Sequence, residues 1–353
     1  MIKKEEIIKL LSKVDDPELK KDLVSLKMVK DVEIKGNDIK VIITLTTPAC
    51  PLKHVFTRDI EKVIRENIKD VGKIEVEFDS NVKKSKGVPG KEEIPGVKNS
   101  IAITSGKGGV GKSTVSVNLA VSLSMSGAKV GICDCDIYGP NVPMMMGVDG
   151  RPYTDGKKII PLEKHGVKVM SIDFLVDKNA PLIWRGPMLH GIIRQFLYDV
   201  DWGELDYLIL DLPPGTGDAQ LTIAQSLPLM GGIVVSTPQE VSLHDVRKAI
   251  MMFKKLNVPI IGIIENMSYF ECPQCGRKSY LFGKGGGEKL SKEFNTELLG
   301  KIPIYEDIRE LGDIGKPPVL EEGKEISKIL MEISQKIAAK ISVMNYEDET
   351  TFN

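Results

Sequence analysis

The sequence predicts a doubly wound, mostly parallel α/β sheet preceded by a smaller N-terminal α/β domain. Three observations carry this. From residue 100 onward, short apolar runs suited to buried parallel strands, such as Ile101-Ala102-Ile103 and Leu208-Ile209-Leu210, alternate with longer helical segments. A glycine-rich stretch, Gly106 to Gly111, joins one such run to a helix. Residues 80–99 are polar with repeated Pro and Gly, which reads as a flexible linker between a domain at 1–79 and one at 100–343, with an acidic tail at 344–353. At 353 residues the chain is long enough for two cores.

The bulk numbers exclude several classes. A hydrophobic content of 42% with 27% charged residues describes an ordinary globular protein. The formal net charge of −1 supplies no global basic field for nucleic acid. No apolar run reaches the ~18 residues of a membrane span, and the first residues lack the apolar core of a signal peptide. The expectation is a cytoplasmic protein that uses neither membrane nor nucleic acid. The five cysteines (Cys50, Cys133, Cys135, Cys272 and Cys275) make no disulfide framework and point to metal or reactive thiols.

In the first domain, Lys3–Val14 reads as a helix with Ile7, Leu10, Leu11 and Val14 on one face, stopped by Asp15-Asp16-Pro17-Glu18. Met28–Ile34 and Ile39–Thr46 read as strands joined by a turn at Gly36-Asn37-Asp38, followed by a helix over Pro51–Ile68 and a strand over Lys73–Phe78. Cys50 stands just before that second helix. A helix N-terminus depresses a thiol pKa, so Cys50 is a candidate reactive thiol, with a buried structural cysteine as the alternative.

In the second domain the stretch Gly106-Lys107-Gly108-Gly109-Val110-Gly111-Lys112-Ser113-Thr114 fits the phosphate-cradling pattern. Its glycines let backbone N–H groups turn inward around phosphate oxygens, Lys112 neutralises phosphate charge, and the Ser113 hydroxyl is a Mg²⁺ ligand. Strict alternation over Val115–Met125 mimics a strand. The run is too long for one, and the loop requires a helix directly behind it, so Ser113–Met125 is predicted helical and closed by Gly127. The next strand, Lys129–Cys133, leads into Asp134 and Asp136 on one side of an extended chain, predicted as a water-mediated Mg²⁺ contact and the residue orienting the attacking water. Cys133 and Cys135 have poor metal spacing and are expected to be structural. Residues 138–179 resist assignment beyond a strand at Val167–Ile172.

A helix is predicted at Pro187–Tyr198, and a strand at Tyr207–Asp211 delivers Asp211 as a second Mg²⁺ anchor. In the following Leu212-Pro213-Pro214-Gly215-Thr216-Gly217-Asp218, Gly215 is placed to give its N–H to a γ-phosphate. Strands at Gly232–Ser236 and Ile260–Ile264 flank a helix at Val241–Leu256. The last strand, Leu298–Ile302, ends at Pro303, a candidate nucleotide contact. Lys324–Ile341 is a helix whose narrow apolar stripe suits its own domain better than a membrane surface.

Lys107 makes the loop Lys-Gly-Gly-Val-Gly-Lys-Ser, which resembles the deviant phosphate loop of the MinD/ParA/nitrogenase-iron-protein class of dimeric ATPases. That resemblance implies that Lys107 reaches the nucleotide of a facing subunit and acts in catalysis with Lys112 and Asp136, and that Asn266 reads the adenine. Cys272-Pro273-Gln274-Cys275 is the only metal-ligand spacing in the sequence. A cluster or a zinc site needs about four ligands, and a twofold dimer supplies the missing pair.

With Cys-Asp-Cys-Asp-Ile-Tyr-Gly-Pro-Asn, Asp-Leu-Pro-Pro-Gly-Thr-Gly-Asp and the Cys-Pro-x-Cys pair, residues 5–340 resemble the ApbC/Mrp-type iron–sulfur cluster carriers. The first domain, through Asp16-Pro17-Glu18-Leu19 and Thr46-Thr47-Pro48-Ala49-Cys50-Pro51, resembles the small domain of iron–sulfur targeting factors. Together these imply an ATP- and Mg²⁺-dependent homodimer that holds a [4Fe–4S] cluster between subunits, receives it from scaffold proteins and delivers it to apoproteins. The alternatives are a MinD/ParA-like positioning ATPase and a zinc-stabilised dimeric binding module.

Overall fold

The computed structural model describes residues 2–87, 90–175, 186–215 and 217–350. Contacts divide it into two units: residues up to Lys83 together with those from Ala338 on, and Lys84–Ile337.

The N-terminal unit opens with α1 (Lys4–Leu11), which buries Ile7, Leu10 and Leu11. A short bridge of β1 (Asp15–Asp16) with β2 (Lys21–Asp22) follows. Here the Asp16 carboxylate accepts the N–H groups of Glu18 and Leu19 in a turn, while α1 has already ended at Leu11, short of the expected Val14. The antiparallel hairpin of β3 (Val29–Lys35) and β4 (Asp38–Leu45) closes with Lys35 opposite Asp38 around Gly36, whose φ is +63°. Then α2 (Lys53–Asn67) lays Phe56, Ile60 and Ile64 into the core, and β5 (Ile74–Ser80) pairs parallel to β4. The expected helix at Pro51 begins two residues later, at Lys53.

The second unit is built on β6 (Val97–Ser105), α3 (Lys112–Met125), β7 (Val130–Asp134), α4 (Val142–Met146), the small pair β8 (Tyr153–Thr154) and β9 (Ile159–Ile160), β10 (Leu162–Lys164) and β11 (Val167–Ser171). It continues with α5 (Gly186–Tyr198), β12 (Leu205–Asp211), α6 (Asp218–Ser226), β13 (Gly231–Ser236), α7 (Glu240–Lys255), β14 (Ile260–Glu265) and the pair β15 (Phe270–Glu271) and β16 (Lys278–Ser279). Last come α8 (Gly286–Phe294), β17 (Leu298–Lys301), α9 (Glu306–Asp313) and α10 (Glu325–Thr350).

Eight strands form one sheet in the order β10-β11-β7-β12-β6-β13-β14-β17, parallel except for β10 against β11. This is the doubly wound, mostly parallel α/β architecture, with β6 at its centre. Parallel strands in the middle of such a sheet are covered on both faces, which is why β7, β13 and nearly all of β6 are buried along their length. The alternating stretch after the glycine loop is the helix α3. Serines and Ala120 between its larger side chains let almost its whole circumference be buried, so it has no polar face to reveal a helical period.

Two expectations about the chain's edges change. Within the stretch read as a linker, Val82 and Ile94 are buried, the Ser85 N–H donates to the Lys98 carbonyl and β6 already begins at Val97, while residues 88 and 89 lie outside the described residues. The acidic tail expected at 344–353 continues α10 as far as Thr350, and residues 351–353 lie outside the described residues. The helix persists because Asn345 is buried and donates to the Lys83 carbonyl, while the Tyr346 ring lies beneath the ammonium groups of Lys21 and Lys83. None of the helices is long and apolar enough to cross a membrane, among the described residues.

Candidate functional site

The glycine loop leaves the end of β6 and delivers Lys112 as the first residue of α3. Two glycines are sterically required. A Cβ on Gly106 would fall 2.4 Å from the Val246 nitrogen. Gly111 has φ +84°, and a Cβ there would fall 2.1 Å from Asn266 Nδ2. Val110 is buried, with its carbonyl accepting from that Asn266 amide at 2.8 Å. Around the loop is a cavity of about 260 Å³ lined by Lys107, Lys112, Ser113, Asp136, Asn141 and Pro214 among others, with Gly108, Gly109 and Thr114 also on its wall.

Beneath the loop, strand register does what the sequence cannot. β7 and β12 are neighbours, and Asp211 pairs directly with Asp134. Both are fully buried at the carboxyl ends of their strands. The Asp211 carboxylate accepts from Lys112 Nζ at 2.8 Å, Ser113 Oγ at 2.6 Å and Ser116 Oγ at 2.6 Å. Asp136 lies 3.4 Å from Lys112 Nζ and reaches the cavity.

Asp134, expected to contact Mg²⁺ through water, is not itself on the cavity wall. Its oxygens accept the N–H groups of Asp136 and Val142 and the Ser171 hydroxyl, so the carboxylate shapes the 136–142 turn from below the cavity. Burial, reinforced by the nearby Asp211 charge, pushes the Asp134 pKa well above the carboxylate range. Asp136 is also raised by burial, with Lys112 opposing. Burial works against the Lys112 charge, yet Asp211 and Asp136 outweigh it and hold the ammonium protonated.

Lys107 behaves differently from Lys112. It is half-buried and, among the described residues, makes no ion pair, while its carbonyl accepts from the Ser105 hydroxyl. Gly215, with φ +95°, donates its N–H to the Ser105 carbonyl at 2.9 Å. This N–H, the one expected to face a γ-phosphate, bonds to β6 here, and Thr216 beside it lies outside the described residues. The buried Gln220 side chain adds a second tie to β6, donating to the Thr104 hydroxyl.

A larger cavity of about 560 Å³ adjoins the first and shares Gly111, Thr114, Met145 and Met267 with it. Asn266 and Pro303 line it, together with Leu281, Phe282, Ile304 and Tyr305, which sequence reasoning did not single out. A cavity over the glycine loop that opens onto a larger apolar one is the shape of a nucleotide site. Ser116 was missed as well, although its position one turn beyond Lys112 on α3 was a readable signal.

The cysteine pair occupies the tip of the β15–β16 hairpin, with Phe270 opposite Ser279 and Glu271 opposite Lys278. The Cys272 N–H donates to the Arg277 carbonyl at 3.0 Å, and the Gly276 N–H returns to the Cys272 carbonyl at 2.9 Å. Cys272 is half-buried and Cys275 exposed. Backbone N–H groups of Gln274 and Cys275 lower the Cys272 thiol pKa, favouring the thiolate that binds metal. No group of three or more His, Cys, Asp or Glu side chains able to hold a metal occurs among the described residues.

The other cysteines are not of this kind. Cys133 and Cys135 are fully buried within the apolar core, their sulfurs 3.7 Å apart. Cys50 reverses its expectation. Burial pushes its thiol up to about 11, against the Leu52 N–H bond to Sγ, and the charges of Glu18 and Asp16 push the same way. The helix that was to depress it starts too late and its field is outweighed by desolvation.

Comparison with known proteins places these features. Residues 96–338 match the family described as NUBPL iron-transfer P-loop NTPase, and residues 4–77 match that described as iron-sulfur cluster assembly protein. An iron-sulfur cluster carrier protein of Synechocystis sp. is 49% identical over 350 residues, covering 97% of this chain and 99% of that protein. One of the same description from Methanocaldococcus jannaschii is 54% identical over 257 residues, covering 71% and 89%. Among solved structures, a nucleotide-binding protein of Archaeoglobus fulgidus in complex with ADP is 44% identical with a TM-score of 0.58, covering 64% of this chain and 89% of that one. The Pyrococcus furiosus cell division ATPase MinD, 24% identical with a TM-score of 0.52 over 68% of this chain and 98% of its own, shares the fold. This chain belongs to the NUBPL iron-transfer P-loop NTPase family and carries an N-terminal iron–sulfur cluster assembly domain.

Proposed function

We propose that this protein is an ATP-hydrolysing carrier that, as a homodimer, holds one [4Fe–4S] cluster on Cys272 and Cys275 of both subunits and passes it to apoproteins. The observation that carries this reading is the hairpin itself: two thiols at an accessible tip, no further ligand beside them among the described residues, on the same unit as the phosphate loop. Half a ligand set suits a cargo that must leave, since a closed site would hold it. The twofold partner supplies the other half.

Nucleotide binding is supported by the glycine loop, the buried Lys112 and the adjoining apolar cavity. Mg²⁺ fits the oxygen donors that converge at Ser113 and Asp211. When bound, the metal neutralises phosphate charge. Lys112 holds the phosphates, Asp136 orients water at the cavity wall, and Lys107, with no ion pair of its own among the described residues, reaches across to the partner's nucleotide. With Asp136 engaged by Lys112 at 3.4 Å, the described residues around the phosphate loop offer no free base, so turnover is slow.

Anaerobic reconstitution with iron and sulfide tests the reading. About four iron and about four sulfide per two chains are expected, with transfer to an apo-acceptor that responds to ATP. Zinc without labile sulfide, or normal transfer by the Cys272→Ser and Cys275→Ser proteins, would overturn it.

A further inference from the structure

Both legs of the cysteine hairpin grow out of the wall of the larger cavity. On the first leg, the Ile304 N–H donates to the Tyr269 carbonyl at 2.7 Å and Phe270 bridges to Ile304, which lines the cavity beside Pro303. On the second, β16 ends at Ser279, and Leu281 and Phe282 are themselves cavity wall. These two apolar side chains are 63% and 37% exposed, surface that a flat apolar ligand would cover.

The segment is then pinned at Gly287, whose N–H donates to the buried Glu265 carboxylate, while the Ser268 hydroxyl takes the other oxygen. Glu265 is the sequence neighbour of Asn266, which holds the Val110 carbonyl of the phosphate loop. A continuous path of bonds and packed groups runs from that loop, through residues 265 and 266, to the root of the thiols.

We propose that Leu281 and Phe282 are base-contacting residues of the nucleotide site, so that nucleotide occupancy alone, without hydrolysis, restrains the cysteine hairpin. The inference rests on reading the two cavities as that site. Its physical basis is that a hairpin with two residue pairs has little rigidity of its own and takes it from its roots. Covering Leu281 and Phe282 removes their rotamer freedom and fixes one root, while Ile304 fixes the other. Linkage makes the effect reciprocal: whatever restrains the thiols raises nucleotide affinity by the same factor.

The test is the rate of N-ethylmaleimide modification at Cys272 and Cys275 in chelator-stripped full-length protein, read peptide by peptide at fixed pH. ADP binding is measured separately by calorimetry. Saturating ADP is expected to slow modification about fivefold, within the usual range of site–site coupling, and equally at high and low protein concentration.

In the Phe282→Ala and Leu281→Ser proteins, ADP is expected to bind more weakly and, at saturation, to leave the modification rate unchanged. Both side chains are exposed, and retained circular dichroism checks the fold. ADP that binds without slowing modification overturns the inference and leaves the nucleotide site standing, whereas failure of ADP to bind sinks both. Protection that survives in both variants, or that appears only at high protein concentration, assigns the effect elsewhere and overturns the inference.

Discussion

The Asn266 amide donates to the Val110 carbonyl at 2.8 Å, and its nitrogen stands 2.1 Å from where a side chain on Gly111 would begin. One asparagine from the end of β14 thereby closes the phosphate loop against Gly111, whose φ of +84° favours glycine at that turn. Gly111→Ala should therefore fold yet bind ADP poorly. Left-handed strain alone costs about 1–2 kcal/mol, about tenfold in affinity, before the clash is counted. Calorimetry showing wild-type affinity would mean that the loop does not hold the nucleotide.

Lys112 is buried with Asp211 at 2.8 Å and Asp136 at 3.4 Å. Lys112→Ala leaves those carboxylates without their cation, and breaking such a buried pair costs about 3–5 kcal/mol. Urea denaturation should show that loss, and Mg²⁺-dependent ATP hydrolysis should vanish. Wild-type turnover in this variant would remove the phosphate loop from the reaction.

Lys107 is the contrasting case. Half-buried and without an ion pair among the described residues, it can be truncated with a stability change within about 0.5 kcal/mol. Sedimentation with a non-hydrolysable ATP analogue should nonetheless show a smaller dimer fraction for Lys107→Ala, with slower hydrolysis. An unchanged dimer and unchanged rate would return this lysine to solvent.

Cys272→Ser and Cys275→Ser should each abolish iron and sulfide uptake and most of the dimer that the cluster stabilises, while ADP still binds. Iron analysis and sedimentation on the same samples separate the two effects. Full iron content in either variant would show that the hairpin is not the cluster site.

Cys50 should be inert near neutrality. With its pKa raised from 9.0 to about 11, alkylation at Cys50, followed by peptide mass, should rise only as pH approaches 11. The sign for stability follows: the folded state favours the protonated thiol, so this contribution is complete below 9.0 and is lost as pH rises through about 11. A modification midpoint below 9.0 would restore the reactive-thiol reading.

The sequence by itself determined whatever depends on neighbours along the chain. The glycine loop between a strand and a helix, the apolar runs of β6, β12 and β13, the turn at Gly36, and the thiol spacing of a hairpin tip follow from backbone conformation and local hydrogen bonding, which a few residues settle. Only the tertiary structure decided what depends on burial and register. Asp211 meets Lys112 from 99 residues away because β12 lies between β6 and β7, an order no local pattern encodes.

The same reason explains the placements that no local pattern encodes. Cys50 titrates upward because the fold desolvates it, Asp134 turns to backbone because the 136–142 turn wraps it, and the Gly215 N–H goes to Ser105 because β6 offers a carbonyl there. Nothing in the local sequence marks Leu281 and Phe282. They become a cavity wall only when β17 and α9 bring Ile304 and Tyr305 alongside, since desolvation and packing are summed over groups distant in sequence.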